Sequence, residues 1–314
     1  MIFGEGWNTQ TMKKKIKGTF KNFLFNVRRL VGIEKQSVLL GEIRAQQIRG
    51  FGKIETLADA EFSVFSQWGE DGILSWLVDI VQPKAKKFVE FGVEDYRESN
   101  TRYLLMTRYW SGLVMDGSDE NLAAILQDNI SYKYDLKSVR SFITRENISE
   151  ILSSNGMGDH LGILSVDIDG VDYWVLEAIQ NSADIVVVEY NAMFPDAAVT
   201  VPYDPAFVRL QKHWSGLYCG ASLPAFQHLL EKRGYKLVGT NKAGTNAFFV
   251  ATAHFDRVMA QLDSVTVWPC NMREARDASG KLSFQRNRDC RLLLAELPFI
   301  DVTTGKTVSG KDIV

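Results

Sequence analysis

Four short runs rich in β-branched and other apolar residues carry an acid at or beside their last position: KFVEF at 87–91, GLVMD at 112–116, GILSVD at 162–167 and IVVVE at 185–189. The segments between them are each long enough for one helix. Strand, crossover helix and strand in succession is the order that a parallel sheet covered on both faces requires. Residues 62–251 therefore predict an α/β, doubly wound, mostly parallel, seven-stranded Rossmann-like sheet. Its end departs from the rule. In YKLVGTNKAGTNAFFVA two apolar runs, 235–239 and 246–250, flank a turn containing Gly and Asn, which predicts a hairpin and an antiparallel last strand.

Three regions follow. Residues 56–253 form the expected catalytic domain, and residues 254–314 a less regular extension in which LPFIDVTTGKTV reads as a small hairpin turning at Gly305. Residues 1–55 form a basic extension, where Phe20, Phe23, Leu24, Val27, Leu30 and Val31 recur at helical spacing among Lys13, Lys14, Lys15, Lys17, Lys21, Arg28 and Arg29. Such a segment either lies on an anionic membrane surface through residues 13–31 or docks on its own domain with a solvated basic face. The whole chain, with 36 basic and 38 acidic residues and a net charge of −2, lacks the basic surplus of a general nucleic-acid binder. Cys219, Cys270 and Cys290 are odd in number and far apart, which indicates neither a disulfide framework nor a zinc site. With no apolar run of about 18 residues and no secretory pattern, the expected location is the cytoplasm, with the inner membrane surface as the alternative address.

In an open α/β sheet, ligands bind beyond the carboxyl ends of the strands. The first of these ends is FVEFGVEDYRESNT, where Glu90 and Gly92 close a strand and Ser99 or Asn100 is placed to cap the next helix. No GxGxxG is present, and Glu90, Glu94 and Asp95 would repel a pyrophosphate, so a nicotinamide enzyme is disfavoured and a ligand carrying positive charge is favoured. The second strand ends at Asp116, about 25 residues beyond Gly92, where an acid accepts hydrogen bonds from ribose hydroxyls or simply makes a turn before Gly117. Upstream, FSQWGEDGIL places Gln67, Glu70 and Asp71 beside two glycines.

FSQWGEDG, FVEFGVEDYRESNT and ILSVDIDGVDY, in this order and spacing, resemble the FkbM-like branch of class I S-adenosylmethionine-dependent methyltransferases over residues 62–252. The resemblance implies the class I methyltransferase fold and S-adenosyl-L-methionine as cofactor. It places Glu90 and Gly92 at the methionine part and Asp116 at the ribose, and Gln67, Ser99 and Asn100 match motif positions. One departure stands out: the family usually has Asn-Asp-Gly where this chain has Glu94-Asp95-Tyr96. Acids on this loop are also suited to neutralising a sulfonium and an ammonium.

Asp167, Asp169 and Asp172 follow the fourth strand, and the fifth brings Glu189 and Asn191 alongside. Hard oxygen donors at adjacent strand ends suit a magnesium- or manganese-like ion. The layout resembles metal-dependent O-methyltransferases, sugar-modifying ones included, which implies Asp167 and Glu189 as first ligands with Asp169 and Asn191 next. Without a metal, paired carboxylates raise one pKa and still supply a base. Asp169 either assists or makes the turn, and Asp172 is expected to cap the helix YWVLEAIQ. The aromatic insertion at 191–223 is a candidate acceptor lid in which His213 is a further base candidate; His160, His228 and His254 read as ordinary surface or core histidines. The expectation is methyl transfer to a hydroxyl of a small molecule, a sugar or glycan precursor included. A non-catalytic module on the same fold is the alternative.

Overall fold

The computed structural model describes residues 32–271, 275–283, 285 and 288–313. The basic segment 13–31, expected to form an amphipathic helix, lies outside them. The strands, in chain order, are β1 (Lys87–Phe91), β2 (Ser111–Asp116), β3 (Leu136–Arg140), β4 (His160–Val166), β5 (Ser182–Glu189), β6 (Val199–Thr200), β7 (Tyr235–Thr240), β8 (Asn246–Ala251), β9 (Pro298–Asp301) and β10 (Lys306–Ser309). Seven build the main sheet in the order β3-β2-β1-β4-β5-β8-β7. β8 runs antiparallel to both β5 and β7, and the other pairings are parallel. The doubly wound sheet with a reversed strand at its end is the arrangement that the hairpin predicted.

The runs that announced the strands are apolar without alternation because the sheet is covered on both faces. Successive side chains of β5 divide accordingly, Val186 and Val188 entering one core and Ile185 and Val187 the other. β3 escaped the sequence reading for a physical reason. It is an edge strand whose Lys137 and Arg140 face solvent, so it carries little of the apolar signal by which strands are recognised.

The two extensions are built onto this frame. Helix Ile33–Gly50 crosses the helices Glu70–Val81 and Arg102–Arg108, approaching closely at Gly41, where a Cβ would lie 2.6 Å from Val64 and 3.0 Å from Tyr103. At the other end β9 and β10 form the expected hairpin, with Gly305 at φ 70°, and β9 also pairs with β6 of the 191–223 insertion. The ring of Phe299 packs on Phe194 and Tyr218, at centroid distances of 4.8 and 5.2 Å, and the Tyr218 hydroxyl donates to Pro298 O at 2.5 Å. Among the described residues no helix is long and apolar enough to cross a membrane.

Gly72, in the FSQWGEDG motif, is held by contact rather than by conformation, since a Cβ there would lie 2.0 Å from Ala60 O and 2.5 Å from Phe62 N. Gly72→Ala is expected to destabilise the fold by about 2 kcal/mol or more through backbone displacement. A urea midpoint unchanged from that of the wild type would contradict this packing.

Candidate active site at the carboxyl edge of the sheet

Buried carboxylates build the loops around the site. Asp71 Oδ2 accepts from the amides of Val64, Phe65 and Ser66 at 2.6, 2.6 and 2.9 Å, folding the FSQW segment over the start of helix Glu70–Val81. Glu70 accepts from Asn241 and Asn246 Nδ2, both at 2.8 Å, and so ties this motif to the β7–β8 hairpin. Glu90 accepts from the amides of Asn100 and Thr101 at 2.7 and 3.1 Å and from the Thr101 hydroxyl at 2.5 Å. The expected cap from Ser99 or Asn100 is therefore replaced. Thr101 is the N-cap position of helix Arg102–Arg108, and Glu90 reaches over from β1 to satisfy the amides there. Desolvation pushes both Asp71 and Glu90 up to about 7, against the opposing pull of these hydrogen bonds.

The altered Glu94-Asp95-Tyr96 loop keeps the backbone that a glycine would favour. Tyr96 has φ 60°, and its ring is fully buried with the hydroxyl 3.0 Å from Thr101 Oγ1 and the Arg102 guanidinium 5.7 Å from its centroid. The missing glycine is thus compensated by packing, which outweighs the roughly 1–2 kcal/mol cost of the left-handed conformation.

These loops enclose a cleft of about 470 Å³. All six residues assigned to the cofactor, Gln67, Glu90, Gly92, Ser99, Asn100 and Asp116, line it. Asp116 Oδ1 is fixed by the Ser118 amide and Asn121 Nδ2 at 2.8 and 2.9 Å, and among the described residues Oδ2 makes no bond. Two buried polar atoms in lining residues have no partner among the described residues: Ser99 Oγ, a donor, and Asn246 Oδ1, an acceptor. An unmet donor and an unmet acceptor fit the carboxylate and ammonium of an amino-acid moiety. Asn246 carried no sequence signal, because it is the first residue of an apolar strand.

The acids after β4 separate by their surroundings. Asp172 is buried and is the first residue of helix Asp172–Ala178, yet its side chain does not cap that helix. It turns back to accept from the amides of Ile168 at 2.7 Å and Gly170 at 2.9 Å, pinning the loop after β4, and desolvation raises its pKa. Asp169, at φ 56°, makes the turn and is hydrogen-bonded by Arg209 Nη1, while Arg209 Nε donates to Gly216 O at 2.5 Å. Asp167 is hydrogen-bonded to Glu189, and its pKa is pushed up to about 8 by desolvation first and by the Asp169 charge second. One oxygen each of Asp167, Asp169 and Glu189 lie within 4.8 Å of one another.

The other two candidates have their own partners. Asn191 spends its amide on Leu217 O and Cys219 O at 2.9 and 3.0 Å and accepts from the Met193 amide at 3.0 Å, so it shapes the neighbouring loops. His213 has Nδ1 2.7 Å from Ser215 Oγ and stacks on Trp214 at 4.9 Å. Burial lowers its pKa, and it lines neither the cleft nor the cavity behind the acids. The aromatics of the insertion act mainly as anchors: Tyr203 bonds Glu146 beneath the Arg145 guanidinium, and Trp174 Nε1 donates to Val201 O at 2.9 Å. What they anchor is Phe207 and Arg209, which both line the cleft.

Behind the acids lies a second cavity of about 110 Å³ that shares Asp169, Glu189 and Arg209 with the cleft. Its wall includes Cys219, Cys270 and Cys290, three residues far apart in sequence that meet because the tail is docked on the insertion. Burial pushes the Cys219 and Cys290 thiols up, so both are neutral lining groups. Arg209 and this use of the tail were invisible in sequence, since only the fold places them beside Asp169.

No family model matches the chain, and no curated protein does. Solved structures of similar arrangement include the N-terminal domain of EvdMO1 with SAH bound, at TM-score 0.39 and 12% identity, covering 60% of this chain and 81% of that one. A putative caffeoyl-CoA O-methyltransferase from Staphylococcus aureus gives TM-score 0.39 and 11% identity over 69% of this chain and 98% of its own. An S-adenosylmethionine-dependent methyltransferase from Clostridium acetobutylicum gives 0.37 and 10% over 58% and 90%. At such identities the likeness lies in the fold and carries no correspondence between site residues.

The Asp167 shift has a sign that a stability curve reads. An unfolded carboxyl loses its proton near pH 4, whereas folded Asp167 keeps it to about 8, so the folded state binds the extra proton and this group's stabilisation falls as pH rises from about 4 to about 8. Asp167→Asn is expected to flatten that part of the pH–stability profile measured by urea unfolding. An identical slope in the two proteins would contradict the assignment.

Proposed function

We propose that the chain is an S-adenosylmethionine-dependent O-methyltransferase that uses Asp167 to take the proton from an acceptor hydroxyl. The observation that carries this reading is a polar cleft lined by Asp116 and Asp167 at strand ends, with unmet Ser99 and Asn246 atoms in its lining residues, that shares Asp169, Glu189 and Arg209 with a separate cavity. When bound, S-adenosylmethionine supplies an electrophilic methyl group on a sulfonium. Ser99 Oγ and Asn246 Oδ1 would hold the carboxylate and ammonium of its methionine part, and Asp116 Oδ2 would accept from its ribose hydroxyls.

The acceptor enters from the cavity behind Glu189. Methyl transfer to oxygen needs alignment and removal of one proton. In its ionised form Asp167 accepts that proton, and its folded pKa of about 8 gives a protonated carboxyl that is stable in this desolvated position. Arg209, bonded to Asp169 and lining both cavities, positions that carboxylate beside the transfer point. Sugars and glycan precursors, with adjacent hydroxyls, suit a site lined by acids and an arginine.

The same acids suit a divalent ion in part. Asp167, Asp169 and Glu189 supply hard oxygen donors within reach of one another, and the Asp167 pKa is raised by desolvation first and by the neighbouring Asp169 charge second. They would hold magnesium or manganese, whose chemistry there is to acidify and orient acceptor hydroxyls. Asn191 does not belong to that donor set, and Arg209 competes for Asp169.

Calorimetry with S-adenosylhomocysteine tests the cofactor assignment. Wild-type binding is expected, with Asp116→Ala about tenfold weaker or more, the equivalent of one charge-assisted hydrogen bond, and Asp167→Asn within about threefold of wild type. Absence of wild-type binding would favour a non-catalytic module on this fold. For the ion, manganese bound to the wild type should be detected by electron paramagnetic resonance and lost in a Glu189→Gln variant; equal binding to both would remove these acids as ligands.

A further inference from the structure

A third cavity, of about 360 Å³, lies on the far side of the inner one and shares with it the segment Tyr190, Asn191, Ala192 and Met193 together with Cys270. The three spaces therefore adjoin in series: the cofactor cleft, the small cavity behind Asp169 and Glu189, and this outer cavity. Its wall is largely apolar, from Met193, Pro195, Leu223, Val267 and Pro269. Two lining residues break that character. Trp268 Nε1 and Arg291 Nε are buried donors that have no hydrogen-bond partner among the described residues.

A buried donor without a partner is destabilising, a guanidinium nitrogen most of all, unless something supplies an acceptor. The donors here flank a cavity with room for a ring system, and both want negative or lone-pair density. Charge around them supports the same preference: Lys242 lies 5.9 Å from the Trp268 ring centroid, and no carboxylate lines the cavity among the described residues. Neither donor lies near the cofactor cleft or belongs to its lining.

We propose that the outer cavity binds the body of the methyl acceptor, and that this body is an apolar, ring-sized group bearing an anionic substituent, carboxylate or phosphate, that accepts from Arg291 and Trp268. The word acceptor rests on the methyl-transfer reading; the ligand class rests on the cavity alone. The acceptor is then bipartite. Its hydroxyl-bearing head occupies the small cavity against Glu189, whose carboxylate is hydrogen-bonded to Asp167 at the cleft, and its anionic apolar body lies in the outer cavity across Met193. This division also gives the tail a task, because Val267, Trp268, Pro269, Cys270 and Arg291 all come from residues after the main sheet.

The test uses 2-naphthoate and its neutral counterpart 2-naphthamide, titrated calorimetrically into the full chain, with S-adenosylhomocysteine binding and thermal unfolding as controls for folding. The wild type should bind 2-naphthoate at least tenfold more tightly than 2-naphthamide. Arg291→Gln should erase that preference, Trp268→Phe should weaken 2-naphthoate about threefold to tenfold, and Met193→Trp, which adds bulk to the wall of the cavity, should weaken both compounds. A wild type that binds neither compound, or 2-naphthoate binding that survives Arg291→Gln and Met193→Trp, overturns the proposal. Loss of S-adenosylhomocysteine binding by the wild type would instead overturn the methyl-transfer reading, leaving the naphthoate result to judge the cavity by itself.

Discussion

The site depends on one close approach. Gly92, at φ 67°, sits so near β4 that a Cβ there would lie 1.7 Å from the Asp167 carbonyl oxygen. No side chain fits that space, and the left-handed conformation disfavours one independently. The contact brings the loop after β1, which carries Ser99 and the Glu90-held helix start, against the loop after β4, which carries Asp167. The cleft and the acid cluster are thereby parts of one wall.

Charge is managed differently on the two sides of that contact. Asp71, Glu90 and Asp172 are buried acids that each accept two or more backbone amide bonds, and they hold loops in place. For Asp71 and Glu90, burial still outweighs those bonds and raises the pKa to about 7, so much of their structural value is available in the protonated form. Asp167 has a different complement, a carboxyl partner in Glu189 and a charged neighbour in Asp169, with Arg209 offsetting part of the repulsion. Asp167 lines the cleft, and its partner Glu189 and neighbour Asp169 are the acids that the cleft shares with the cavity behind it.

The sheet was legible in sequence because its strands are continuous apolar runs ending in acids, and the β7–β8 hairpin because its turn residues are specific. Edge strand β3 was not, since half its side chains meet water. The motif residues do line one cleft, although Glu90 grips Asn100 and Thr101, a role that one-dimensional spacing does not distinguish from ligand contact. Asp172 was assigned to the correct helix start with the wrong hydrogen bonds, because its chain neighbours on both sides offer amides. Arg209, Asn246 and the lining cysteines come from segments 40 to 123 residues away from Asp167 or Asp169 in sequence, and only the docking of the tail through β6–β9 and the packing of the insertion bring them in.

The most direct test of the central claim is a crystal structure of the chain with S-adenosylhomocysteine bound. The expected density places the ribose hydroxyls at Asp116, the amino-acid moiety at Ser99 and Asn246, and the sulfur facing Asp167. A cofactor bound elsewhere, or one whose sulfur lies away from Asp167 with the inner cavity on its far side, would contradict the account.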